Sequence, residues 1–210
     1  SSPVFYDFDG DGDLDLISGS QLGNIKYYAN TGNPHSPAWD ENSGYFSSID
    51  HSIYAAVAIG DVNNDGLPDA IIGDLAGNFF FHRNTGFGFQ EQAGVLPPIA
   101  LGGWSVPRLL DMDFDGDLDL VAGNEAGNLR YYENQGSPQT PAWVEITGYF
   151  GTIDVGSNCV PTFGDLDGDG DWDLVAGNII GNLVCYLRQG MGWVANTTLF
   201  AGISTDQDAA

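Results

Sequence analysis

The stretch Asp7–Asp15, DFDGDGDLD, has the pattern Asp-x-[Asp/Asn]-x-Asp-Gly-x-x-Asp, and this pattern recurs three times along the chain. Oxygen-bearing side chains at alternate positions suit a hard divalent cation of the size of Ca²⁺, which takes roughly six to eight oxygen ligands. The glycine at position 6, Gly12 in this copy, permits a tight reversal because glycine adopts positive φ without a steric penalty. The other copies are Asp61–Asp69 (DVNNDGLPD), Asp111–Asp119 (DMDFDGDLD) and Asp165–Asp173 (DLDGDGDWD).

The four loops predict about four bound Ca²⁺, one in each copy. Positions 1, 3 and 5 would each supply a carboxylate or amide oxygen, position 7 its backbone carbonyl, and position 9 a carboxylate that closes the shell. The second loop has fewer carboxylates than the others, so we expect it to be the weakest site. The predicted metal ligands are Asp7, Asp9, Asp11, Asp13, Asp15, Asp61, Asn63, Asp65, Leu67, Asp69, Asp111, Asp113, Asp115, Asp117, Asp119, Asp165, Asp167, Asp169, Asp171 and Asp173.

The loops differ from an EF-hand, which closes with Glu at position 12 and is flanked by helices. Position 12 is here Ser18, Ile72, Ala122 or Ala176, within apolar runs typical of β-strands. The alternative is that the loops are only turns, because Asp and Gly favour turns in any case. An ordinary turn does not need five aspartates in nine residues. Unneutralised carboxylates repel by about 1 kcal/mol per close pair in water.

The composition excludes several classes of partner. The 210 residues carry a formal charge of −24 and include only five Lys and Arg, so nucleic acid and anionic membrane surfaces are poor partners. No apolar run is long enough to insert into a membrane. The chain opens directly into repeat sequence without a visible signal peptide, as expected of a processed or excised segment. Loops of this kind need millimolar calcium, which favours an extracellular or cell-surface location.

The loops mark a repeat of two lengths. Their starts are separated by 54, 50 and 54 residues, and a shift of 104 aligns the two halves without a gap. A period near 50 is typical of a propeller, a solenoid or an array. The predicted organisation is therefore a single array made from a two-blade unit of 104 residues used twice. The predicted blades are approximately 1–54, 55–104, 105–158 and 159–210.

Each repeat contains short apolar runs that predict four β-strands. One run enters the acidic loop and a second leaves it, as Val4-Phe5-Tyr6 and Leu16-Ile17 do in the first repeat. A Gly-Asn turn and a third run follow, and segments such as Ala38-Trp39 can form an outer fourth strand. No helical periodicity of useful length is present. Four-stranded units that are apolar on both faces must stack on one another, which predicts an all-β protein built as a β-propeller-type array of four blades.

This arrangement resembles the FG-GAP/VCBS-type repeats, a family that includes the integrin α-chain propeller and certain fungal propeller lectins. The acidic loops and Gly-Asn turns carry the resemblance over essentially the whole chain, while the Phe-Gly pair is complete only at Phe163-Gly164. The resemblance implies that each loop joins the first and second strands of a blade and holds Ca²⁺ on one face of the molecule. Family propellers usually have about seven blades. A small closed ring, a half-ring completed by another chain, and an open stack across subunits therefore all remain open.

Other candidate sites have weaker signals. Trp39 and Trp143, with Tyr45 and Tyr149, recur at the 104-residue period and could stack on sugar rings, although packing between blades is the better explanation. Ser36 and Thr140 lie between prolines in predicted loops and are candidate O-glycan acceptors, with rigid turns as the alternative. The only N-glycosylation sequon begins at Asn196.

Catalysis has little support in the sequence. Glu41 and Glu145 are repeats of each other, which indicates a structural position, and no known catalytic motif is present. The three histidines, His35, His51 and His82, are isolated in the sequence and have no repeat partners. The two cysteines, Cys159 and Cys185, fall on the first and third strands of one predicted blade. These strands would lie about 9–10 Å apart, which predicts two free, buried thiols.

These observations together predict a non-enzymatic, extracellular, calcium-binding repeat protein with a structural or adhesive role. Edge strands at the two ends of an open array would favour self-association into an oligomer or filament. The alternative function is a carbohydrate-binding propeller lectin, so glycans or cell-surface proteins are the expected external partners.

Overall fold

The chain folds as a four-bladed β-propeller, described here by a computed structural model for residues 2–51, 53–99, 101–137 and 139–200. Each blade is a four-stranded antiparallel sheet whose strands pair in chain order. Blade one contains β1 (Ser2–Tyr6), β2 (Asp15–Gly19), β3 (Ile25–Asn30) and β4 (Trp39–Glu41), and blade two contains β5 (Ala56–Gly60), β6 (Asp69–Gly73), β7 (Phe79–Asn84) and β8 (Phe89–Glu91). Blade three contains β9 (Val106–Leu110), β10 (Asp119–Gly123), β11 (Leu129–Asn134) and β12 (Trp143–Glu145), and blade four contains β13 (Val160–Gly164), β14 (Asp173–Gly177), β15 (Leu183–Gln189) and β16 (Gly192–Ala195).

The predicted all-β class and the strand positions are confirmed. The one helical element in the described part of the chain is a single 3₁₀ turn, Ser43–Phe46. Each acidic loop joins the first and second strands of its blade, as the family resemblance implied. Of the three geometries left open by the sequence, the chain adopts the small four-bladed propeller, in which the inner strands of all four blades line one axial cavity through Pro3, Ala56, Val106 and Val160.

Hydrophobic clusters fill three of the interfaces between blades. The first cluster joins blades one and two around Ile17 and Ile72, the second joins blades two and three around Ile71 and Leu120, and the third joins blades three and four around Val121 and Leu174. On β6, Ile71 and Ile72 point to opposite faces and pack against different neighbouring blades, and Leu120 and Val121 do the same on β10. Blades two and three are therefore buried on both faces, and every residue of β6 and β10 is buried.

The two terminal blades are buried on one face only. In blade one, Phe5 and Trp39 remain 57% and 46% exposed on the face that points away from blade two, and in blade four Val160 remains 41% exposed. The described residues form no hydrophobic cluster between blades four and one. The propeller thus has three packed interfaces. The junction without such a cluster in the described residues is called here the seam between blades four and one.

The glycine that ends the second strand of each blade also distinguishes the three packed interfaces from the seam. At Gly19, an added Cβ would lie 2.0 Å from the backbone oxygen of Ala55, where the chain enters blade two. Gly73 and Gly123 lie equally close to the chain that enters the next blade, at 2.1 and 2.3 Å. At Gly177 of blade four, the nearest described atom is a side chain of the same blade, 3.6 Å away. Glycine is therefore sterically required where another blade follows.

Both cysteines are buried and free, as the sequence predicted. The expected placement of Cys159 on the first strand of blade four is wrong by one residue, because β13 begins at Val160 and Cys159 packs into the interface with blade three. Cys185 lies on β15, as expected. No helix in the described residues has the length and hydrophobicity of a membrane span.

The repeated Pro-Ala-Trp segments allow a matched test of this packing. Trp143 is 8% exposed between blades two and three, whereas Trp39 at the equivalent position of blade one is 46% exposed. We expect Trp143→Ala to lower the free energy of unfolding by about 3–5 kcal/mol, and Trp39→Ala to cost much less, because only the buried side chain leaves a cavity. Denaturant titration of the two variants at low protein concentration measures the difference. Equal losses would show that Trp39 is covered as well.

Candidate metal-binding loops

The aspartate at position 9 is the most buried acidic residue of each loop. Asp15, Asp69 and Asp173 are fully buried, and Asp119 is 1% exposed. In every blade this carboxylate accepts a hydrogen bond of 2.7–2.8 Å from the backbone N–H that lies 15 residues further along the chain, at the third strand. The four donors are Asn30, Asn84, Asn134 and Arg188.

The second oxygen of the same carboxylate holds the start of the loop. In blade three, Asp119 accepts hydrogen bonds from the backbone N–H of Met112 at 3.0 Å and from the hydroxyl of Tyr131 at 2.9 Å. Asp15 and Asp173 make the corresponding bond to the residue at position 2 of their own loops, at 3.0 and 2.8 Å. Position 9 therefore joins the first, second and third strands of a blade, in addition to any contact with a cation.

The aspartate at position 1 shapes the loop from inside. Asp7 accepts hydrogen bonds from the backbone N–H groups of Gly10 and Gly12, and Asp111 accepts them from Asp115 and Gly116. These bonds wrap the backbone around one carboxylate. Ligand atoms of positions 1, 3 and 5 then come within 4.8 Å of one another in the first and third loops. In the fourth loop the corresponding group consists of positions 1, 3 and 9.

The aspartate at position 7 is the feature that the sequence analysis underestimated. Asp13 and Asp117 are 7% and 8% exposed, and each has one buried carboxylate oxygen without a hydrogen-bond partner among the described residues. Asp171 has the same unpartnered oxygen in the fourth loop. Sequence reasoning assigned only the backbone carbonyl to this position. The signal that could have corrected it was that Asp occupies position 7 in three of the four loops.

Such unpartnered oxygens fit a cation, because leaving a buried polar atom without a partner costs free energy. Burial raises the pKa of Asp117 to about 6, with the neighbouring carboxylates Asp115 and Asp113 as further causes. Burial likewise raises the pKa of Asp13 and of Asp171. A bound divalent ion would supply the missing partner and favour the ionised form. The first, third and fourth loops therefore have a donor set that suits a hard cation.

The second loop has a different donor set. Leu67 stands at position 7, so this loop lacks the buried carboxylate. The guanidinium of Arg83 donates to Asp65 at 2.9 Å, and the amide of Asn63 donates to Asp69 at 2.9 Å. Burial raises the pKa of Asp69 to about 7. Protein donors thus occupy oxygens that a cation would use. This arrangement is consistent with the expectation that the second loop is the weakest calcium site, which stays a prediction.

The third and fourth loops lie against each other. The indole Nε1 of Trp172 donates to the backbone oxygen of Asp111 at 2.7 Å, and its ring lies parallel to that of Phe114. The guanidinium of Arg188 donates to the backbone oxygen of Met112 at 3.1 Å. These contacts link the two loops across the blade interface, on one face of the propeller.

The candidate sugar-binding aromatics occupy unlike environments. Trp143 is buried between blades, whereas Trp39 is exposed beside Phe5 with ring centroids 6.4 Å apart. The hydroxyl of Tyr45 donates to Asn84 at 2.7 Å, and Tyr149 packs beside Trp193 in the interface of blades three and four. The structure does not bring these residues together into repeated surface platforms.

The candidate modification sites lie at the surface. Ser36 and Thr140 are both exposed in the loops that precede the fourth strands, and Pro138, which flanks the second of them, lies outside the described residues. Asn196 follows β16, and its side-chain oxygen accepts hydrogen bonds from Thr198. Their modification stays a prediction.

The expectation that the histidines are isolated is wrong for two of them. His51 and His82 are 31 residues apart in the chain, but their Nε2 atoms lie 2.5 Å apart. The propeller brings them together because His51 lies in the connection from blade one and His82 lies on the third strand of blade two. His35 is exposed in a hairpin loop.

Comparison with known proteins gives one family match. The model of the FG-GAP-like repeat matches residues 7–72, 61–122 and 111–176, so that successive matches overlap and each spans two acidic loops. No curated protein matches the chain. The matched region covers well over half of the sequence and contains all four loops. The chain belongs to the family of FG-GAP-like repeat proteins.

Proposed function

We propose that the protein is a non-enzymatic, calcium-binding repeat protein that acts outside the cell, where its ions stiffen a propeller used for structure or adhesion. The observation that carries the proposal is the set of buried, unpartnered carboxylate oxygens at Asp13, Asp117 and Asp171. Each lies in a loop whose other carboxylates converge. An all-oxygen donor set of this kind suits Ca²⁺ better than a transition metal.

A structural role for the ions follows from their energetics. If the dissociation constant of a site lies tenfold below the ambient calcium concentration, binding adds about 1.4 kcal/mol to the stability of the folded state. Three or four such sites supply about 4–6 kcal/mol, which is comparable with the whole stability of a typical domain, about 5–15 kcal/mol. Calcium outside the cell is present continuously at millimolar concentration, so the sites stay filled.

The carboxylates outside the loops support a role without catalysis. Glu41 forms an ion pair with Lys26 on blade one, and Glu145 forms the equivalent pair with Arg130 at 3.1 Å on blade three. Both pairs join the third and fourth strands at the surface. These two glutamates have the same structural use in both halves of the chain, so neither is a good candidate for a catalytic acid.

The seam between blades four and one supports self-association. Phe5, Leu16 and Tyr28 lie side by side on the outer face of blade one. Their counterparts in blade three, at the 104-residue shift, pack against blade two, where Leu120 and Tyr132 are 0% and 3% exposed and Leu109 is partly buried. Blade two covers this face in blade three, and blade four is the repeat of blade two. We therefore propose that blade four of a second copy of the chain covers the outer face of blade one.

Carbohydrate binding is the less supported function. Trp143 is buried, so the repeated tryptophans do not form two equivalent sugar platforms. Trp39 remains exposed, but it lies on the same face as Phe5 and belongs to the proposed contact between copies.

Calcium titration tests the function directly. Calorimetry of metal-free protein is expected to show about three ions bound tightly and a fourth more weakly, because the second loop has fewer carboxylates and its Asp65 is paired with Arg83. Arg83→Leu, which introduces the residue type found at the equivalent Leu187, should strengthen calcium binding by the second loop. The control is Arg130→Leu, which breaks the ion pair with Glu145 outside the acidic loops and should leave calcium binding unchanged. Absence of calcium binding in the unaltered chain would overturn the proposed function.

The pH dependence of stability separates the metal-free and calcium-bound states. Because burial raises the pKa of Asp69 to about 7, this carboxyl takes up a proton more readily in the folded state than in the unfolded chain. The contribution of this proton uptake to the stability of the folded state is therefore present at low pH and is lost as the pH rises through 7. Relative to Asp69→Asn, which cannot ionise, the metal-free unaltered chain should gain on the order of 1 kcal/mol between pH of about 8 and about 6.5, and this comparison cancels the titration of the histidines, whose ordinary pKa is about 6.5.

Calcium should reduce or reverse this gain, because the ion binds ionised carboxylates. Thermal unfolding at the two pH values, with and without excess calcium, measures both effects. Metal-free Asp69→Asn keeps a hydrogen-bond acceptor but cannot ionise, so it should lack the part of the pH dependence that comes from Asp69. Identical pH dependence of the metal-free unaltered chain and Asp69→Asn would contradict the assignment.

Self-association is tested by particle mass in calcium. The unaltered chain should form particles larger than one chain as its concentration rises, measured by light scattering. Phe5→Glu should abolish this growth, because it places a charge on the outer face of blade one. Phe87→Glu is the matched control, since Phe87 is 98% exposed in a hairpin of blade two, away from the seam. A single chain at every concentration would rule out the proposed contact.

A further inference from the structure

Two histidines and a glutamate converge at the interface of blades one and two, away from the acidic loops. The Nε2 atoms of His51 and His82 lie 2.5 Å apart, closer than an ordinary N–H···N hydrogen bond. Glu91 lies opposite His82 on the neighbouring strand β8. One ligand atom from each of the three residues lies within 4.8 Å of the other two.

The two rings are held firmly in place. His51 stacks on Phe80 with ring centroids 3.9 Å apart and an angle of 13° between the planes, and its backbone N–H donates to Gly23 in blade one. His82 is 2% exposed, and its Nδ1 is buried with no hydrogen-bond partner in the described residues. The surrounding packing therefore keeps the two Nε2 atoms near each other from both sides.

The electrostatic surroundings favour a cation. The carboxylates of Glu91, Asp74 and Asp50 act on His51 from nearby. The two imidazoles therefore face each other beside acidic side chains, which would stabilise a bound cation.

We propose that His51, His82 and Glu91 form a binding site for one divalent transition-metal ion of the Zn²⁺ class, separate from the calcium loops. Two imidazole nitrogens and one carboxylate suit Zn²⁺ and its neighbours in the periodic table, whereas calcium prefers oxygen ligands alone. Zn²⁺ lies about 2.0–2.2 Å from such ligands in a tetrahedron, which requires ligand atoms about 3.3 Å apart. The two nitrogens must move apart slightly, and the exposed Glu91 must move inward, with water as the fourth ligand.

The site would clamp two blades together. His51 belongs to the connection that leaves blade one, whereas His82 and Glu91 belong to the outer hairpin of blade two. It would also occur once in each chain. At the 104-residue shift the three positions hold Val155, Tyr186 and Ala195, which do not form this donor set. The expected stoichiometry is therefore one ion per chain, in contrast to the repeated calcium loops.

Zinc titration in excess calcium tests the proposal on the full chain. With the acidic loops saturated, the unaltered protein should bind one equivalent of Zn²⁺, and Co²⁺ should give the visible absorption of a tetrahedral nitrogen and oxygen site. His51→Ala and Glu91→Gln should each weaken Zn²⁺ binding by at least about tenfold, because each removes a direct ligand. Glu91 is exposed and His51 is only partly buried, so both variants are expected to fold.

His35→Ala is the matched control, because it removes an exposed histidine outside the cluster and should leave Zn²⁺ binding unchanged. Equal Zn²⁺ affinity in the unaltered chain, His51→Ala and Glu91→Gln would overturn the proposal, as would the absence of Zn²⁺ binding in excess calcium. Calcium binding by the same samples is measured separately, so failure of this site is distinguishable from failure of the calcium function.

Discussion

The fold depends on one buried carboxylate in each blade. The aspartate that ends the acidic loop accepts backbone hydrogen bonds from the loop and from the third strand, so a single side chain fixes the relative positions of three strands. A carboxylate removed from water is costly unless it is fully hydrogen-bonded. The backbone donors satisfy that requirement at Asp15, Asp119 and Asp173. The remaining carboxylates of the loop are then held near one another, and their mutual repulsion is what a cation would relieve.

The loops share a sequence pattern but differ in how their charge is balanced. Three of them bury an oxygen at position 7 that has no hydrogen-bond partner in the part of the chain that the structure describes. The second loop replaces that aspartate with Leu67 and brings in Arg83 from the third strand. In the proposed function, the guanidinium of Arg83 and the metal ions of the other loops balance the same kind of carboxylate cluster in different blades.

The sequence predicted the regular part of the molecule well. Strand order, loop position and turn position follow from local patterns that repeat four times, and Asp15 or Asp119 could be singled out because position 9 never varies. The use of Asp13 and Asp117 was harder to foresee, because burial of a loop side chain depends on how the loop closes. The meeting of His51 and His82 could not be predicted, since it depends on the packing of one blade against the next and neither residue repeats.

The seam has a consequence for how such chains can change in length. The exposed face of blade one corresponds, at the 104-residue shift, to the face of blade three that packs against blade two. Blade four corresponds in the same way to blade two. Gene duplication or deletion of a whole 104-residue segment would therefore create no junction of a new type. Each added segment would meet a surface already tested by selection inside the existing molecule. Proteins of this design can vary in size in evolution without inventing a new interface.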